Sequence, residues 1–392
     1  MRARRGGDEP RGRAHLAALA ACAALLSSCF DNSSAPARES SPAEEPRYAQ
    51  AGPARPAAPG ADAATRWREA LELDLAPEVA AEARVAIGAP ETSVELRALA
   101  ALVLAQAGAA RPALDACGGD APPLRLARAR ILLEQYDDPA GAVACLVAAD
   151  GRPREPDAPE ALYVAGRALA RAGDCRGAAP FLLEGLRLAP HANDAAAARA
   201  VLFACALQGG ARDEATRLER AARSSAQWQA TLKARRLQAR ARPEEPLPKV
   251  GIAELWLSVD EPRRALDALN AHLAREDART DARFHALRGE CLRRVGERAA
   301  AAEALARARG MSPDDPETAY FEAQLARDAG ERELALAALR RACDASAARE
   351  GRLLRAQLEL ARWLLQDGRL DEARARHARY LELGGEEPLE AR

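Results

Sequence analysis

One stretch of 34 residues, 159–192, has the sequence pattern of two short helices joined by a turn. Its small and apolar residues fall three or four positions apart, as they do along the buried side of a helix. The first stripe consists of Leu162, Gly166 and Leu169, and the second of Ala178, Leu182 and Leu186. Weaker copies of the pattern occur on both sides, which favours a fold made of stacked helix pairs.

The other marker residues of this stretch each have a physical role. Gly166 and Ala178 are small, which lets the two helices cross closely at these positions. Gly173 accepts the backbone angles needed just beyond a helix end. Asp174 is placed to cap the second helix with its side-chain oxygen, and Pro190 cannot continue that helix. The stretch therefore predicts a complete helix–turn–helix unit.

This unit resembles the tetratricopeptide repeat, an antiparallel helix pair of 34 residues. Comparable units lie at 94–122, 123–156, 196–229, from about 246, and at 282–315, 316–349 and 354–387. The resemblance implies an all-α solenoid, a right-handed superhelix of antiparallel helix pairs, in two sub-arrays. A helical hairpin of another type is the alternative.

Composition also favours helices and excludes one class of partner. Hydrophobic residues make up 48% of the 392 residues but aromatic residues only 4%, because most of the apolar content is Ala and Leu. These residues favour helix, and few β-branched or aromatic residues remain for strands. Lys and Arg number 57 against 58 for Asp and Glu. A chain without excess positive charge is not expected to bind nucleic acid.

The N-terminal 28 residues have the pattern of an export signal. Several arginines precede a short apolar run, Leu16 to Leu26, which is about half the length of a membrane-spanning helix. The run ends in Leu26-Ser27-Ser28-Cys29, which resembles the bacterial lipobox. That resemblance implies lipidation of Cys29, and Phe30 after it favours the outer membrane, facing the periplasm. An ordinary cleaved signal and an uncleaved helix are the alternatives.

The sequence divides into six predicted segments. They are a lipoprotein signal peptide at 1–28, a disordered Ala/Pro/Ser-rich tether at 29–64, an N-terminal array at 65–229, a hinge at 230–247, a C-terminal array at 248–387 and a tail at 388–392. The hinge is predicted because Pro243 and Pro246 follow an Arg-rich helical segment. Its basic run, Lys233 to Arg242, is interpreted as a solvated helix face, with an interaction patch as the alternative.

No pattern in the sequence indicates catalysis. The phosphate-binding loop, the zinc-protease helix, the serine-hydrolase elbow and the C-x-x-C pair are all missing from it. Carboxylates alternate with arginines as exposed ion pairs one helical turn apart do. The histidines at 191, 272, 285 and 377 are scattered and are expected at the surface or in a groove. We therefore expect no enzyme activity, no metal, no cofactor and no small-molecule substrate.

The cysteines beyond the lipobox lie in a compartment that is expected to be oxidising. They are Cys117, Cys145, Cys175, Cys205, Cys291 and Cys343. Cys175 begins one second helix and Cys205 lies late in the following first helix. An antiparallel stack brings those two ends together, so a Cys175–Cys205 disulfide is geometrically allowed. Buried thiols that replace alanine are the alternative.

By the resemblance, first helices line a concave groove that binds peptides or a partner's helix. The matching positions are Tyr163, Arg167 and Arg171, then Tyr320, Gln324 and Arg327, and finally Arg355, Leu358 and Arg362. Tyr and Arg are typical of binding hot spots, and several arginines favour an acidic protein or peptide partner. The family's carboxylate clamp needs Asn at groove positions. Because Asn is missing there, binding of C-terminal chaperone tails is not expected.

Three functions fit these features. The first is a lipid-anchored cell-envelope scaffold that holds protein partners of an assembly, secretion or polysaccharide-export complex. The second is a glycan- or peptidoglycan-binding module, which needs aromatic platforms that this chain largely lacks. The third is a subunit that localises an envelope enzyme.

Overall fold

The computed structural model describes residues 63–347 and 354–389. The predicted signal peptide, the lipidation site Cys29 and positions 29–62 of the predicted tether lie outside these residues. The last two positions assigned to the tether, Ala63 and Ala64, are helical in the structure. Ala63 is fully buried, so packing against the core extends the first helix to this residue.

The described part of the chain divides into two compact units between Lys233 and Ala234. The division falls inside the segment predicted as a hinge, 230–247, but the helix there continues without a break to Ala241. The helices that begin in the first unit are α1 (Ala63–Glu72), α2 (Ala76–Gly88), α3 (Val94–Gln106), α4 (Ala110–Ala116), α5 (Pro122–Gln135), α6 (Pro139–Leu146), α7 (Pro159–Arg171), α8 (Cys175–Leu188), α9 (Ala195–Gln208) and α10 (Arg212–Ala241).

The second unit continues the same alternation of paired helices. Its helices are α11 (Pro246–Ser258), α12 (Pro262–Leu273), α13 (Ala282–Val295), α14 (Arg298–Met311), α15 (Pro316–Asp328), α16 (Arg332–Ala347), α17 (Leu354–Gln366) and α18 (Leu370–Glu382). Between 63 and 347 and between 354 and 389, the β-structure consists of one isolated bridge, Val147 to Pro153. The all-α, tetratricopeptide-like class predicted from the sequence is confirmed.

The turn inside the 159–192 unit has the conformation that its sequence predicts. Gly173 has φ of +91°, a left-handed conformation that favours glycine. The backbone N–H of Gly177 donates to Oδ1 of Asp174 at 2.8 Å, so this carboxylate caps α8. Both local predictions are confirmed.

Close crossing of paired helices depends on glycine at the same place in both units. A methyl group on Gly166 of α7 would lie 2.6 Å from the side chain of Leu182 in α8. In the second unit, a methyl group on Gly289 of α13 would lie 2.6 Å from Leu305 in α14. The leucine of each second helix therefore fills the space that the glycine of the first helix leaves open.

Apolar clusters join each pair to its neighbours. One cluster contains Leu133 of α5, Leu146 of α6 and Leu162 of α7. Another, in the second unit, contains Leu339 of α16 and Leu360 of α17. Because each helix pair buries its apolar face against the next, stability is shared between neighbouring repeats. In the ranges that the structure describes, no helix is both long and apolar enough to span a membrane.

We predict that Gly166→Ala destabilises the first unit by about 1–3 kcal/mol, because the added methyl group overpacks the crossing with Leu182. Gly310→Ala in α14 is the matched control, since no atom lies within 4 Å of the position its methyl group would take. We expect the control to be neutral or slightly stabilising. Urea unfolding followed by circular dichroism measures both changes, and equal stability of the two variants would contradict this packing.

Candidate partner-binding face

The first helices of successive pairs lie side by side within each unit. In the first unit α3 contacts α5, α5 contacts α7 and α7 contacts α9. In the second unit α11 contacts α13 and α13 contacts α15, and α15 donates hydrogen bonds to Glu359 of α17. We call the side-chain surface of these helices the first-helix face of each unit.

The first-helix face of the first unit has a cluster of ion pairs at its centre. Nη1 of Arg167 lies 3.3 Å from a carboxylate oxygen of Glu134 and 3.2 Å from one of Asp194. Asp194 also pairs with Arg130. These four residues come from three successive repeats, so the cluster links the repeats to one another.

In the second unit, a buried carboxylate organises the centre of the face. Glu290 of α13 has a side chain only 4% exposed and accepts hydrogen bonds from Arg293 at 2.8 Å and Arg294 at 2.7 Å. Arg293 also pairs with Asp328 at the end of α15. The hydrogen bonds to Glu290, helped by Asp328, raise the pKa of the Arg293 guanidinium. Carboxylates of two successive repeats thus hold the Arg293 side chain in place.

A second carboxylate, Glu359 of α17, holds the next junction. It accepts hydrogen bonds from the hydroxyl of Tyr320 at 3.1 Å and from Nε2 of Gln324 at 2.7 Å. Arg355 lies one helical turn away, with Nε 3.4 Å from Glu359. Burial is the main cause of the raised pKa of Tyr320, and the negative charge of Glu359 adds to it. Tyr320 and Gln324 therefore bind the neighbouring repeat.

Three residues assigned to the groove from the sequence are buried, and those assignments are wrong. The exposed fractions are 0% for Tyr163, 5% for Gln324 and 3% for Leu358. Tyr163 packs on Gly185 of α8 and donates a hydrogen bond to the carbonyl oxygen of Ala189 at 2.6 Å. Its burial raises the pKa of the hydroxyl to about 12. Gln324 faces the adjacent repeat through Glu359, whereas Tyr163 is covered by α8 of its own repeat together with α9 of the next.

The five arginines predicted in the groove differ in how much of the side chain solvent reaches. Arg167 and Arg362 have only 12% and 15% of the side chain exposed. Arg171, Arg327 and Arg355 have 45%, 42% and 81% exposed. The last three also contact carboxylates, at Asp137, Asp328 and Glu359, but enough of each side chain is exposed for a partner to reach it.

The acidic members of these clusters were not identified from the sequence. Asp194 and Glu359 contact residues predicted for the groove, whereas Glu290 pairs with Arg293 and Arg294, which were not predicted for it. A signal for one of them exists in the spacing: Glu359 follows Gln324 by 35 residues, close to one repeat. The ion pairs were expected within single helices, whereas many of them join neighbouring repeats.

Aspartates in three turns extend this pattern. Asp74, Asp137 and Asp260 have φ of 59°, 49° and 58° in turns between paired helices, where other pairs have glycine in this left-handed region. Their carboxylates contact residues near the end of the next first helix: Asp74 with Gln106, Asp137 with Arg171, and Asp260 with Arg294. Each aspartate thus contacts the next repeat from a backbone conformation that favours glycine.

Two histidines expected at the surface or in the groove are buried. His272 is fully buried, and its Nε2 lies 2.8 Å from the carbonyl oxygen of Arg279. His285 is 4% exposed and contacts the hydroxyl of Thr280 at 3.2 Å. Phe284 packs against both rings. The two histidines fix the turn between α12 and α13, and burial lowers the pKa of His285.

The structure holds a disulfide between Cys175 and Cys205, with Cα atoms 5.4 Å apart. The bridge joins the first residue of α8 to α9 in the next repeat. The free cysteines of the described ranges have raised thiol pKa values, because burial disfavours the thiolate. The pKa is about 11 for Cys117 and about 12 for Cys291 and Cys343. Such thiols are poor nucleophiles at neutral pH.

We predict that Cys175 and Cys205 resist alkylation in unfolded, unreduced protein, whereas Cys117 and Cys291 are labelled. Peptide mapping measures this directly. Because the bridge closes a loop of about 30 residues, Cys175→Ala/Cys205→Ala is expected to lower stability by about 2–4 kcal/mol. Cys145→Ala, which removes an unbridged thiol, is the control. Labelling of Cys175 and Cys205 without reduction would contradict the bridge.

Within 63–347 and 354–389, no three or more His, Cys, Asp or Glu side chains are grouped so as to hold a metal ion. The polar groups of the first-helix face are paired charges, buried hydroxyl and amide groups, and exposed arginines. This arrangement suits polar recognition of a macromolecular surface.

Helix pairs of this kind define the tetratricopeptide-like class. No family model matches the chain, and no curated protein matches it. Among solved structures, MamA is 19% identical, with 41% of this chain and 91% of that chain covered and a TM-score of 0.32. A tetratricopeptide repeat protein from Parabacteroides merdae is 15% identical, with 64% and 92% covered and a TM-score of 0.29.

The human IFIT1 dimer with PPP-AAAA is 16% identical, with 80% of this chain and 76% of that chain covered and a TM-score of 0.32. Similarity at this level does not extend to function, and the fold class rests on the helix pairs themselves. The expected lack of a nucleic-acid partner stays a prediction from the charge balance.

Proposed function

We propose that the protein is a lipid-anchored cell-envelope scaffold that binds partner proteins through the first-helix faces of its repeats, as part of an assembly, secretion or polysaccharide-export complex. The observation that carries the proposal is the row of first helices with its exposed arginines. Arg327 and Arg355 lie on neighbouring first helices of the second unit, and Arg171 lies on the face of the first unit. Arginine forms charge-assisted hydrogen bonds with carboxylates, which supports an acidic partner segment.

The pairing of charges inside the chain narrows this proposal. Arg167 and Arg293 already contact carboxylates of neighbouring repeats, so they hold the face in place and are not the groups that attract a partner. A rigid face requires less ordering on binding than a flexible one does. A partner therefore contacts a few exposed arginines on a surface whose other charges are already paired.

A glycan-binding module, the alternative considered above, requires exposed aromatic platforms. Trp67, Tyr163 and Tyr380 are all buried in the structure. Among the described residues, Tyr136 is the one aromatic residue with more than about a third of its surface exposed, at 44%. The positions of these side chains favour a protein partner over a glycan. A subunit that localises an envelope enzyme is a special case of the scaffold.

The binding face is tested by capture of partners from crosslinked cell envelopes. Arg327→Glu/Arg355→Glu is expected to lower the recovery of partners at least about fivefold, because each arginine of a hot spot contributes more than about 1 kcal/mol. The control, Arg263→Glu/Arg374→Glu, reverses the same number of charges on exposed positions of second helices. Equal loss in both variants, or loss in neither, would contradict binding through the first-helix face.

The lipid anchor is tested separately with Cys29→Ser. Two or more acyl chains anchor a protein stably, at roughly 0.8 kcal/mol per buried CH₂ group. The wild-type protein is therefore expected in the detergent phase after phase partitioning and to incorporate labelled fatty acid. The variant should move to the aqueous phase without label. Wild-type protein that is aqueous and unlabelled would exclude the anchor.

A further inference from the structure

The end of the chain folds back onto the last helix pair. Gly384 and Gly385 follow α18, and Gly384 has φ of +92°. A side chain on Gly385 would meet the ring of Tyr380, with its Cβ 2.2 Å from the nearest ring atom. The chain therefore needs glycine at this point to pass close to Tyr380 and reach the side of α17. We call residues 384–389 the tail; this segment begins four residues before the tail predicted from the sequence at 388–392.

The tail makes contacts of three kinds with α17 and α18. The carboxylate of Glu387 pairs with Nη2 of Arg362 at 3.0 Å. Nε2 of His377 donates a hydrogen bond to the carbonyl oxygen of Glu387 at 2.9 Å, and the N–H of Glu387 donates to the hydroxyl of Tyr380 at 3.3 Å. Leu389 packs against the apolar cluster of the last repeats. We call Arg362, His377, Tyr380 and this apolar edge the tail site.

The charge of Arg362 explains why the site requires an acid. Arg167, at the corresponding position of the 159–192 repeat, pairs with carboxylates on both sides. Arg362 lies in the last helix pair, and Glu387 of the tail is its carboxylate partner among the described residues. With only 15% of its side chain exposed, an unpaired Arg362 would be a poorly solvated charge.

The tail itself is held weakly. The side chain of Glu387 is 58% exposed, and Glu386 and Pro388 are exposed. A segment with two glycines and few buried contacts is expected to open at low free-energy cost. The site is therefore built for an acidic segment, but the segment that occupies it is replaceable.

We propose that the tail site is a peptide-binding site. It takes an extended segment of a partner protein with an acidic residue, a glycine two positions before it and a leucine two positions after it. Until such a partner is present, the chain's own tail, with Gly385, Glu387 and Leu389, occupies the site. The inference rests on the proposed function, since it specifies which kind of partner segment binds beside α17, a first helix of the second unit.

The test uses a fluorescent peptide, Gly-Gly-Glu-Glu-Pro-Leu, acetylated and amidated, and the full chain. Glu387→Arg/Leu389→Ser disables the attached tail without changing the site. This variant is expected to bind the peptide at least about tenfold more tightly than the wild type, because an attached tail competes at an effective concentration of about millimolar. Fluorescence anisotropy measures both affinities.

Two further variants assign the contacts. Arg362→Glu, combined with Glu387→Ala/Leu389→Ser so that the attached tail has no arginine to pair with the new carboxylate, should abolish binding, and a peptide with Arg in place of the second Glu should restore it. Tyr380→Phe keeps the ring and loses one hydrogen bond to the peptide backbone, so affinity should fall about fivefold. Circular dichroism checks that each variant folds. Restored binding of the swapped peptide also shows that Arg362→Glu is folded.

Three results would overturn the inference: no binding to the disabled-tail variant, equal binding to it and the wild type, or binding that Arg362→Glu leaves unchanged. A wild-type dimer in sedimentation that Glu387→Arg/Leu389→Ser dissociates would show that a second copy fills the site, which also overturns it. Loss of partner capture by Arg327→Glu/Arg355→Glu does not depend on the tail. If that loss persists while the peptide fails, the proposed function stands and the tail site does not.

Discussion

Charged side chains that pair across the boundary between repeats are the interaction on which the rest of this structure depends. The close crossing at Gly166 completes one helix pair, and apolar clusters join that pair to its neighbours, but the first helices also bring charged side chains of successive repeats side by side. Arg167 and Arg293 resolve this by contacting carboxylates about one repeat away, at Glu134 and Asp328. Because the side chains of Arg167 and Arg293 are largely shielded from water, removal of a partner carboxylate leaves a poorly solvated charge and costs more than breaking an exposed surface pair.

The same pairing determines which part of the face is left for a partner. An arginine that already pairs with a carboxylate of a neighbouring repeat must break that pair before it can bind a ligand. Arg355, at 81% exposure, remains accessible, whereas Arg362 is held by Glu387 of the tail. The chain thus provides its own acidic segment at the end of the array. In this proposal, pairing of arginine with carboxylate both joins the repeats and binds the partner.

Features set by a few neighbouring residues were predictable from the sequence. The helix pairs, the left-handed Gly173, the cap by Asp174 and the small residue at Gly166 follow from local rules of helix start, helix end and crossing. The residues that face the partner were harder to identify. Tyr163 was placed in the groove by repeat position, but its exposure depends on how closely the next repeat packs. The distance between neighbouring repeats depends on the side chains of both, so the sequence pattern of one repeat does not determine it.

The most direct test of this account is a double-mutant cycle on Arg293 and Asp328, which belong to successive repeats. Arg293→Ala, Asp328→Ala and the double variant are compared by urea unfolding, and the coupling energy is taken from the cycle. Side-chain exposures of 13% and 30% lead us to predict a coupling of about 1 kcal/mol or more. A coupling below about 0.3 kcal/mol, the range of additive sites, would contradict the claim that charge pairing joins the repeats.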